Sequence, residues 1–449
     1  MSQEGFSFSQ DRLREIARTI LDHAHSRGAN ACEADVSEGF GQSVTVRKGA
    51  VETIEYNRDK GVGVTVYLGQ QRGYASTSDF SADALRATAD AALSIARFTA
   101  PDPCAGLPDE DMLAPTGTDA TGLDLHHPWV LPVDEAIELA RRCEAAAFAV
   151  SPLVKNSEGA SISTQQSHFV SANSLGFMGG YATSRHYVSC AVIAGEGDAM
   201  QRDDWYSSKR DADELARPEA VGEYAAHRAL SRLGARQIGT SSAPVLFEAP
   251  LAAALLGNFV HAASGGSLYR KTSFLVDSLG KRIFAPHIRI SERPHLKKGM
   301  ASSPFDDDGV VTRDRDVVRG GVIEGYFLST YSARKLGMKT TGNAGGCHNL
   351  ILEPGRHDLK GLLKLMDRGL LVTELLGMGV NYVTGDYSRG AAGYWVEDGC
   401  IQYPVQEITI AGNLRDMFRN IVAVGNDVLV RGSKQCGSIL VGEMKIAGG

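Results

Sequence analysis

The stretch GNFVHAASGGSLYRKTSF, Gly257 to Phe274, joins an apolar helix to a basic turn and carries one histidine near the end of the helix. A zinc-peptidase helix places histidine, glutamate and histidine about one turn apart, because two imidazoles bind the metal while the carboxylate reaches its water. Here His261 is followed by Ala262, where that glutamate would stand, and by Gly265 and Gly266, where a second histidine would stand. The segment is therefore either a zinc-peptidase helix that lacks its reactive side chains or an ordinary helix that carries one histidine.

The apolar residues of this segment recur at helical spacing and predict one buried stripe. The stripe consists of Leu251, Leu255, Leu256, Phe259 and Ala263. On the same helical wheel His261 falls on the opposite side. We therefore expect His261 to face solvent, a cavity or another chain, and an ordinary exposed histidine remains the simplest interpretation.

The composition of the 449-residue chain describes a globular protein, with 43% hydrophobic and 22% charged residues. No run of 18 apolar residues predicts a membrane span, and the polar N-terminus does not resemble a secretory signal. A net charge of −7 argues against general binding of nucleic acid. The seven cysteines form no CxxC pair and their number is odd, which predicts reduced thiols in the cytoplasm.

Periodicity along the chain predicts an α+β fold of two domains. Residues 1–235 read as a mixed domain of helices and antiparallel hairpins, interrupted by a long connection at about 100–132 that is rich in proline, glycine and aspartate. Residues 236–449 read as a β-rich domain that carries the degenerate zinc-peptidase helix. The polar stretch Gly234 to Pro244 is the expected boundary.

The second half shows two hairpin signals and one amphipathic helix. The hairpins are expected at Arg319 to Ser329 and at Tyr394 to Val405, where Asp398-Gly399 forms the turn. The helix is expected over Leu359 to Gly369. Extended segments such as VLFE, Val245 to Glu248, are candidates to accept a peptide as an added strand.

Two polar motifs are candidates for contacts with a peptide or a partner. Tyr269, Arg270 and Lys271 follow the helix that carries His261. Cations at this place suit a peptide carboxylate, an acidic partner surface or simply the end of a helix. Asp386 and Arg389 lie in TGDYSRGAAGYW, which reads as a glycine-rich bend. Glycines there permit close approach of a ligand, although they more often only permit a tight turn.

Two other motifs carry weaker chemical signals. Cys347 and His348 are adjacent, and neighbouring side chains seldom face each other as a nucleophile and its base must. The acidic run in PFDDDGV, Pro304 to Val310, lacks the spacing of a calcium loop and is expected to form a solvated turn.

Long segments of the chain resemble the TldD/PmbA metalloprotease family, and they are closer to its PmbA/TldE branch than to TldD. The segments include TVRKGAVETIEYN, FTAPDPCAG, SLYRKTSFLVDSLGK, HLKKGMASSPFDDDGV, YSARKLGMKTTGNAGG, TGDYSRGAAGYWVEDG, YPVQEITIAGN and GNDV. TldD members carry HExxxH on the matching helix and a cysteine close to the C-terminus as zinc ligands. Carried onto this chain, the motif retains His261, while Ala262 and Gly266 replace its other two residues, and Cys436 lies near the third ligand position.

The resemblance implies a TldE-like, non-catalytic subunit of a heteromeric protease. It further implies a TldD-like partner that holds the zinc, unfolded or modified peptides as substrates, a cytoplasmic location and no cofactor on this chain. A homodimer is expected when the partner is absent. The alternatives are a standalone homo-oligomeric peptide-binding or scaffolding protein, and a hydrolase that uses His348 with a distant acid.

Overall fold

The computed structural model of the chain describes residues 5–448. It confirms the predicted α+β class, with helices and strands packed around several apolar cores.

The first half alternates helices and long antiparallel strands. Its helices are α1 (Gln10–Ser26), α2 (Ala82–Phe98), α3 (Val133–Val150) and α4 (Pro218–Ser231). Its strands are β1 (Ala31–Arg47), β2 (Ala50–Leu68), β3 (Gln71–Thr77), β4 (Val154–Asn173), β5 (Met178–Gly179), β6 (Ala182–Ala194) and β7 (Gln201–Lys209). They form one seven-stranded sheet in the order β3-β2-β1-β4-β6-β7, and β5 pairs with β4.

Local sequence signals account for these elements. The side chains of Ser9 and Ser81 accept hydrogen bonds from backbone N–H groups in the first turns of α1 and α2, as expected for caps. Gly49, at a φ of 74°, completes the turn between β1 and β2 together with Lys48. Strand β7 was not predicted, because QRDDWYSSK alternates too few apolar residues.

One face of the sheet is covered by helices in two separate places. Helices α1 and α2 pack over one core, to which β1 contributes Val36, and α3 and α4 pack over a second core, to which it contributes Val44. Residues 100–132 run between α2 and α3 as irregular chain with one short 3-10 turn, as predicted.

The second half is dominated by short strands and helices. Its strands are β8 (Ser241–Phe247), β9 (Ile290–Glu292), β10 (Arg315–Arg319), β11 (Val322–Ile323), β12 (Leu350–Leu352), β13 (Gly369–Leu376), β14 (Asp386–Glu397), β15 (Cys400–Asn413), β16 (Ile421–Val424), β17 (Lys434–Gln435) and β18 (Ile439–Ala447). Its helices are α5 (Ala249–Ala262), α6 (Gly265–Tyr269), α7 (Thr330–Lys335), α8 (Leu359–Met366) and α9 (Leu414–Arg419).

These strands build two sheets, one of which closes on itself. The smaller sheet has the order β11-β10-β9-β12-β17. The larger has the order β15-β14-β13-β8-β18-β16, and Thr409 to Ala411 of β15 also pair with Lys445 to Ala447 of β18. Because β8 lies between β13 and β18, both of its edges are paired, and the prediction that VLFE accepts an added peptide strand is wrong.

The predicted helix over Leu359 to Gly369 ends earlier than expected. Asp367 adopts a φ of 59°, which stops α8 at Met366, and Gly369 already begins β13. The two predicted hairpins are present, with turns at Gly320-Gly321 and Asp398-Gly399.

Candidate functional site

Helix α5, which carries His261, ends at Ala262. Its Leu255, Phe259 and Ala262 side chains are buried in the main core of the second half. Ser264 then caps a new short helix, α6, so Gly266 lies beyond the break and not on the helix of His261. The side chains needed for a histidine pair one turn apart therefore do not share one helix here.

His261 is exposed, as the helical wheel predicted. Its ring lies 4.0 Å from the ring of Tyr382, centroid to centroid, at an angle of 35°. The Tyr382 hydroxyl donates to Asn258 Oδ1 over 3.0 Å, which attaches the segment before β14 to the last turns of α5. His261 thus forms part of an aromatic surface beside the helix end.

Asp386 and Arg389 lie on strand β14, and the predicted glycine-rich bend is wrong at this point. Gly390 and Gly393 lie within β14 and pair with β13 and β15, with bulges in both pairings near Gly393. Only Gly385, at a φ of 87°, belongs to the turn before the strand. Hydrogen bonds from Thr384 Oγ1 and Asn413 Nδ2 hold the pKa of the Asp386 carboxyl below its usual value. Asp386 consequently remains an exposed anion at the start of the strand.

Arg389 is half-buried and lies near Tyr382. Its positive charge acts to lower the phenol pKa values of Tyr382 and Tyr387, although burial is the larger effect and raises both. One guanidinium nitrogen, Nη2, lies 3.5 Å from the carbonyl oxygen of Leu375. Through Tyr382 the structure brings Arg389 towards the His261 end of α5.

Tyr269, Arg270 and Lys271 form a second group at the end of α6. Arg270 Nη1 donates to the Tyr269 hydroxyl over 3.0 Å, and the Tyr269 ring packs edge-on against Tyr331 at 5.9 Å. Lys271 is exposed and adopts a φ of 57°. The six predicted residues therefore divide into two groups, one around Tyr382 and one around Tyr331.

Tyr382 and Tyr331 were not identified from the sequence, although each links a predicted residue to another part of the chain. Tyr331 donates to Asp102 Oδ2 over 2.7 Å, and Lys335 Nζ lies 3.0 Å from Asp102 Oδ1. These bonds join α7 to the long connection at 100–132. An isolated tyrosine carries no motif, so only the folded contacts reveal this role.

The side chains at the positions that the resemblance assigns to zinc do not fit a zinc ion. Ala262 is 0% exposed and offers no carboxylate, while Cys436 is 1% exposed within the same core. Burial, and secondarily the charge of Asp427, raises the pKa of the Cys436 thiol to about 12, whereas zinc binds the thiolate. Residues 5–448 contain no cluster of three or more His, Cys, Asp or Glu side chains arranged to hold a metal ion.

The remaining sequence candidates serve the architecture. His348 is buried, and its Nε2 lies 2.8 Å from the carbonyl oxygen of Gly342. The acidic run of PFDDDGV is not simply a solvated turn, because the Asp306 carboxylate is buried and accepts backbone N–H bonds from Asp308, Val310 and Ala344. Burial is the main cause that raises the pKa of Asp306 to about 7.

Models of one protein family match three consecutive parts of the chain. They are domain 1 of the PmbA/TldA metallopeptidases at residues 32–96, the central domain at 126–233 and the C-terminal domain at 240–448. The fold and these matches define a metallopeptidase-like chain, and the chain belongs to the PmbA/TldD family.

Similar proteins place the chain within that family. Metalloprotease PmbA of Escherichia coli O157:H7 is 50% identical over 97% of this chain and 96% of its own length. The metalloprotease PmbA homolog of Haemophilus influenzae is 46% identical over 98% of this chain and 97% of its own length. The metalloprotease TldD homolog of the same organism is only 21% identical, over 86% of this chain and 83% of its own length. The chain is thus a member of the PmbA branch.

Solved structures share the fold. A crystal structure from Bacteroides thetaiotaomicron, described as a candidate modulator of DNA gyrase, has a TM-score of 0.92 at 25% identity and covers 98% of this chain and 99% of its own. The crystal structure of TldE from Thermococcus kodakarensis has a TM-score of 0.80 at 18% identity over 96% of this chain and 99% of its own. Within residues 5–448, no helix has both the length and the apolar character needed to cross a membrane.

Proposed function

We propose that this chain is the TldE-like, non-catalytic subunit of a heteromeric TldD–TldE zinc metalloprotease that acts on unfolded or flexible peptides. The observation that carries the proposal is the buried Ala262 side chain, at the position where the resemblance places the catalytic glutamate. Alanine offers neither a general base nor a metal ligand. In this proposal the zinc, and with it the activation of water, belongs to a TldD-like partner in the cytoplasm.

The proposed contribution of this chain is contact with substrate and partner. His261 and Tyr382 offer a partly exposed aromatic surface, while Arg270 and Lys271 offer exposed cations a few residues further along the chain from His261. Cations of this kind suit the carboxylates of a peptide or an acidic partner surface. Asp386 and Arg389 extend the same region along β14 with one charge of each sign.

The sequence relatives agree with a two-subunit arrangement. Haemophilus influenzae has both a PmbA homolog, to which this chain is 46% identical, and a TldD homolog at 21% identity. One organism therefore holds both types of chain, as a heteromeric enzyme requires. The alternative function is a standalone homo-oligomeric peptide-binding or scaffolding protein, which requires no second type of chain.

The test compares the purified chain with the chain mixed with a TldD-like protein. We expect well below one zinc per chain by elemental mass spectrometry, no hydrolysis of an unstructured peptide by the chain alone, and a new mixed species by light scattering with the partner. The proposal fails if the chain alone binds one zinc and cleaves the peptide in a chelator-sensitive reaction. A homo-oligomer that the TldD-like protein leaves unchanged supports the alternative.

A further inference from the structure

A mostly polar belt, which includes one phenylalanine, separates the two apolar cores on the helix-covered face of the first sheet. Along β1 the inward-facing residues between Val36 and Val44 are Glu38, Phe40 and Gln42. Along β4 those between Ile162 and Val170 are Thr164, Gln166 and His168, and β6 contributes Ser184 and His186. Neither helix pair covers this belt.

A cavity of about 570 Å³ lies over the belt. Its walls include the aromatic side chains of Phe6, Phe40, Tyr56 and Trp129, and the segment 128–132 contributes to one side. This volume falls within the range of about 300–1,000 Å³ that is typical of small-molecule sites, which are mostly apolar with a few placed polar groups.

The polar groups at the cavity include one hydroxyl that the protein leaves without a hydrogen bond. Thr164 lines the cavity and is only 8% exposed, and its buried Oγ1 has no hydrogen-bond partner among the described residues. The side chain of Gln166, in contrast, already has a hydrogen-bond partner, because its Oε1 lies 3.0 Å from His126 Nε2. A buried hydroxyl without a partner is costly, so Thr164 Oγ1 is an available donor and acceptor.

Charges around the cavity balance each other. The Arg58 guanidinium contacts the buried Glu38 carboxylate over 2.8 Å, and His168 Nε2 lies 3.4 Å from the same carboxylate. Burial lowers the pKa of His126, which favours its neutral form. A charged ligand would lose hydration here without gaining an unmatched opposite charge.

We propose that this cavity binds a neutral aromatic ring that carries one hydrogen-bonding substituent, such as a phenol, with the ring between the aromatic walls and the substituent at Thr164 Oγ1. Stacked and edge-on contacts with Phe40, Tyr56 and Trp129 favour a planar ring over an aliphatic chain. The ring can belong to a free small molecule or to the side chain of a peptide. All of the lining residues lie between Gly5 and Gln166, so this site is independent of the function proposed for the α5 region.

The test uses p-cresol and toluene as matched probes, which differ by one hydroxyl group, in ligand-observed NMR titrations of the full chain. Thr164→Val keeps the shape of the side chain and removes its hydroxyl. We expect it to weaken p-cresol binding by about 2- to 10-fold, the usual effect of one neutral hydrogen bond, and to leave toluene binding unchanged.

A second variant tests the aromatic wall. Tyr56 is 61% exposed, so Tyr56→Ala is expected to fold, and it should weaken both probes. Tyr74→Ala on β3 removes another exposed tyrosine, 53% exposed and outside the cavity, and should change neither. The proposal is overturned if p-cresol does not bind at about 5 mM, a generous limit for so small a ligand. It is also overturned if Thr164→Val and Tyr56→Ala both leave p-cresol binding unchanged.

A peptide arm distinguishes the two sources of the ring. An acetylated, amidated Gly-Gly-Tyr-Gly-Gly peptide is titrated beside its all-glycine counterpart. Binding at least about tenfold tighter than p-cresol indicates a peptide side chain, because backbone contacts then add to the ring. Equal or weaker binding of the peptide indicates a free small molecule, and either result upholds the aromatic site.

Discussion

A glutamate introduced where the resemblance places the catalytic one, in the variant Ala262→Glu, is expected to destabilise the chain without creating a zinc site. The Ala262 side chain is 0% exposed, and its backbone carbonyl accepts a hydrogen bond from Ser273 Oγ over 2.6 Å. A glutamate introduced here must either carry a buried charge or remain protonated. We expect the protonated form, since a buried carboxyl has a strongly raised pKa.

The cost follows from the pKa difference and from the added volume. Keeping the carboxyl neutral at pH 7 costs about 3.7 kcal/mol, from a reference pKa of about 4.3 and about 1.36 kcal/mol per pH unit. Overpacking of the core adds about 1–3 kcal/mol, for a total of about 5–7 kcal/mol. Because the folded pKa is raised, this cost is small below about pH 4.3 and grows as the pH rises, so at pH 5 the protonation part is only about 1 kcal/mol.

Urea unfolding followed by circular dichroism at about pH 5 and pH 7 measures the effect, with two controls. Ala262→Gln has nearly the same volume and does not titrate, so its cost should not change with pH. Ala254→Glu places the same charge on an exposed position of α5 and should change stability by less than about 0.5 kcal/mol. The reasoning is refuted if Ala262→Glu is as stable as the wild type at pH 7, and more so if it then binds one zinc per chain.

Four further substitutions test other contacts. Asp306→Ala leaves three backbone N–H groups unpaired and should cost about 1–3 kcal/mol. Because burial raises the folded pKa of Asp306 to about 7, the wild-type advantage should decrease as the pH rises from about 4 to 7, and an advantage that instead grows over this interval contradicts the assignment. Arg431→Ala removes a guanidinium that lies 3.8 Å from the centroid of the Trp205 ring and 3.9 Å from that of the Tyr206 ring. It should lower the free energy of unfolding by about 1–2 kcal/mol, measured by thermal unfolding. An equally stable Arg431→Ala variant argues against the contact. Arg431→Lys retains the charge without the planar stack, and should recover only part of that loss. Cys436→Ala should leave the zinc content of the purified chain unchanged, and loss of bound zinc in this variant would show that the thiol is a ligand after all.

Local signals in the sequence predicted most of the elements whose ends are set by neighbouring residues. The serine caps of α1 and α2, the Lys48-Gly49 turn and the Asp398-Gly399 turn each act within a few residues. Helix α5 buries most of the predicted apolar stripe, but its end at Ala262 depends on Ser264 opening a second helix, which competes with continuation of the first. Local rules do not rank those two outcomes.

Contacts between distant residues were not predictable in this way. The pairing of β8 with β13 and β18 joins segments more than 100 residues apart, and it buries a strand that alternation alone suggested could bind a peptide. The stacking of His261 on Tyr382 depends on the same long-range arrangement. The aromatic cavity likewise combines residues from Phe6 to Gln166, none of which carries a motif.

The position of β18 has a consequence for synthesis on the ribosome. This strand, at Ile439–Ala447, pairs with β8, β15 and β16, so the closed sheet lacks a central member until residue 447 has emerged. Until then one edge of β8 and one edge of β15 have no permanent neighbour, although β13 and β14 pair with their other edges. Unpaired edges of this kind invite association with other chains. The seven-stranded sheet of the first half contains no strand beyond Lys209 and has no such dependence. We therefore expect nascent chains to fold their first half early and to need protection by chaperones over the second half until β18 has emerged.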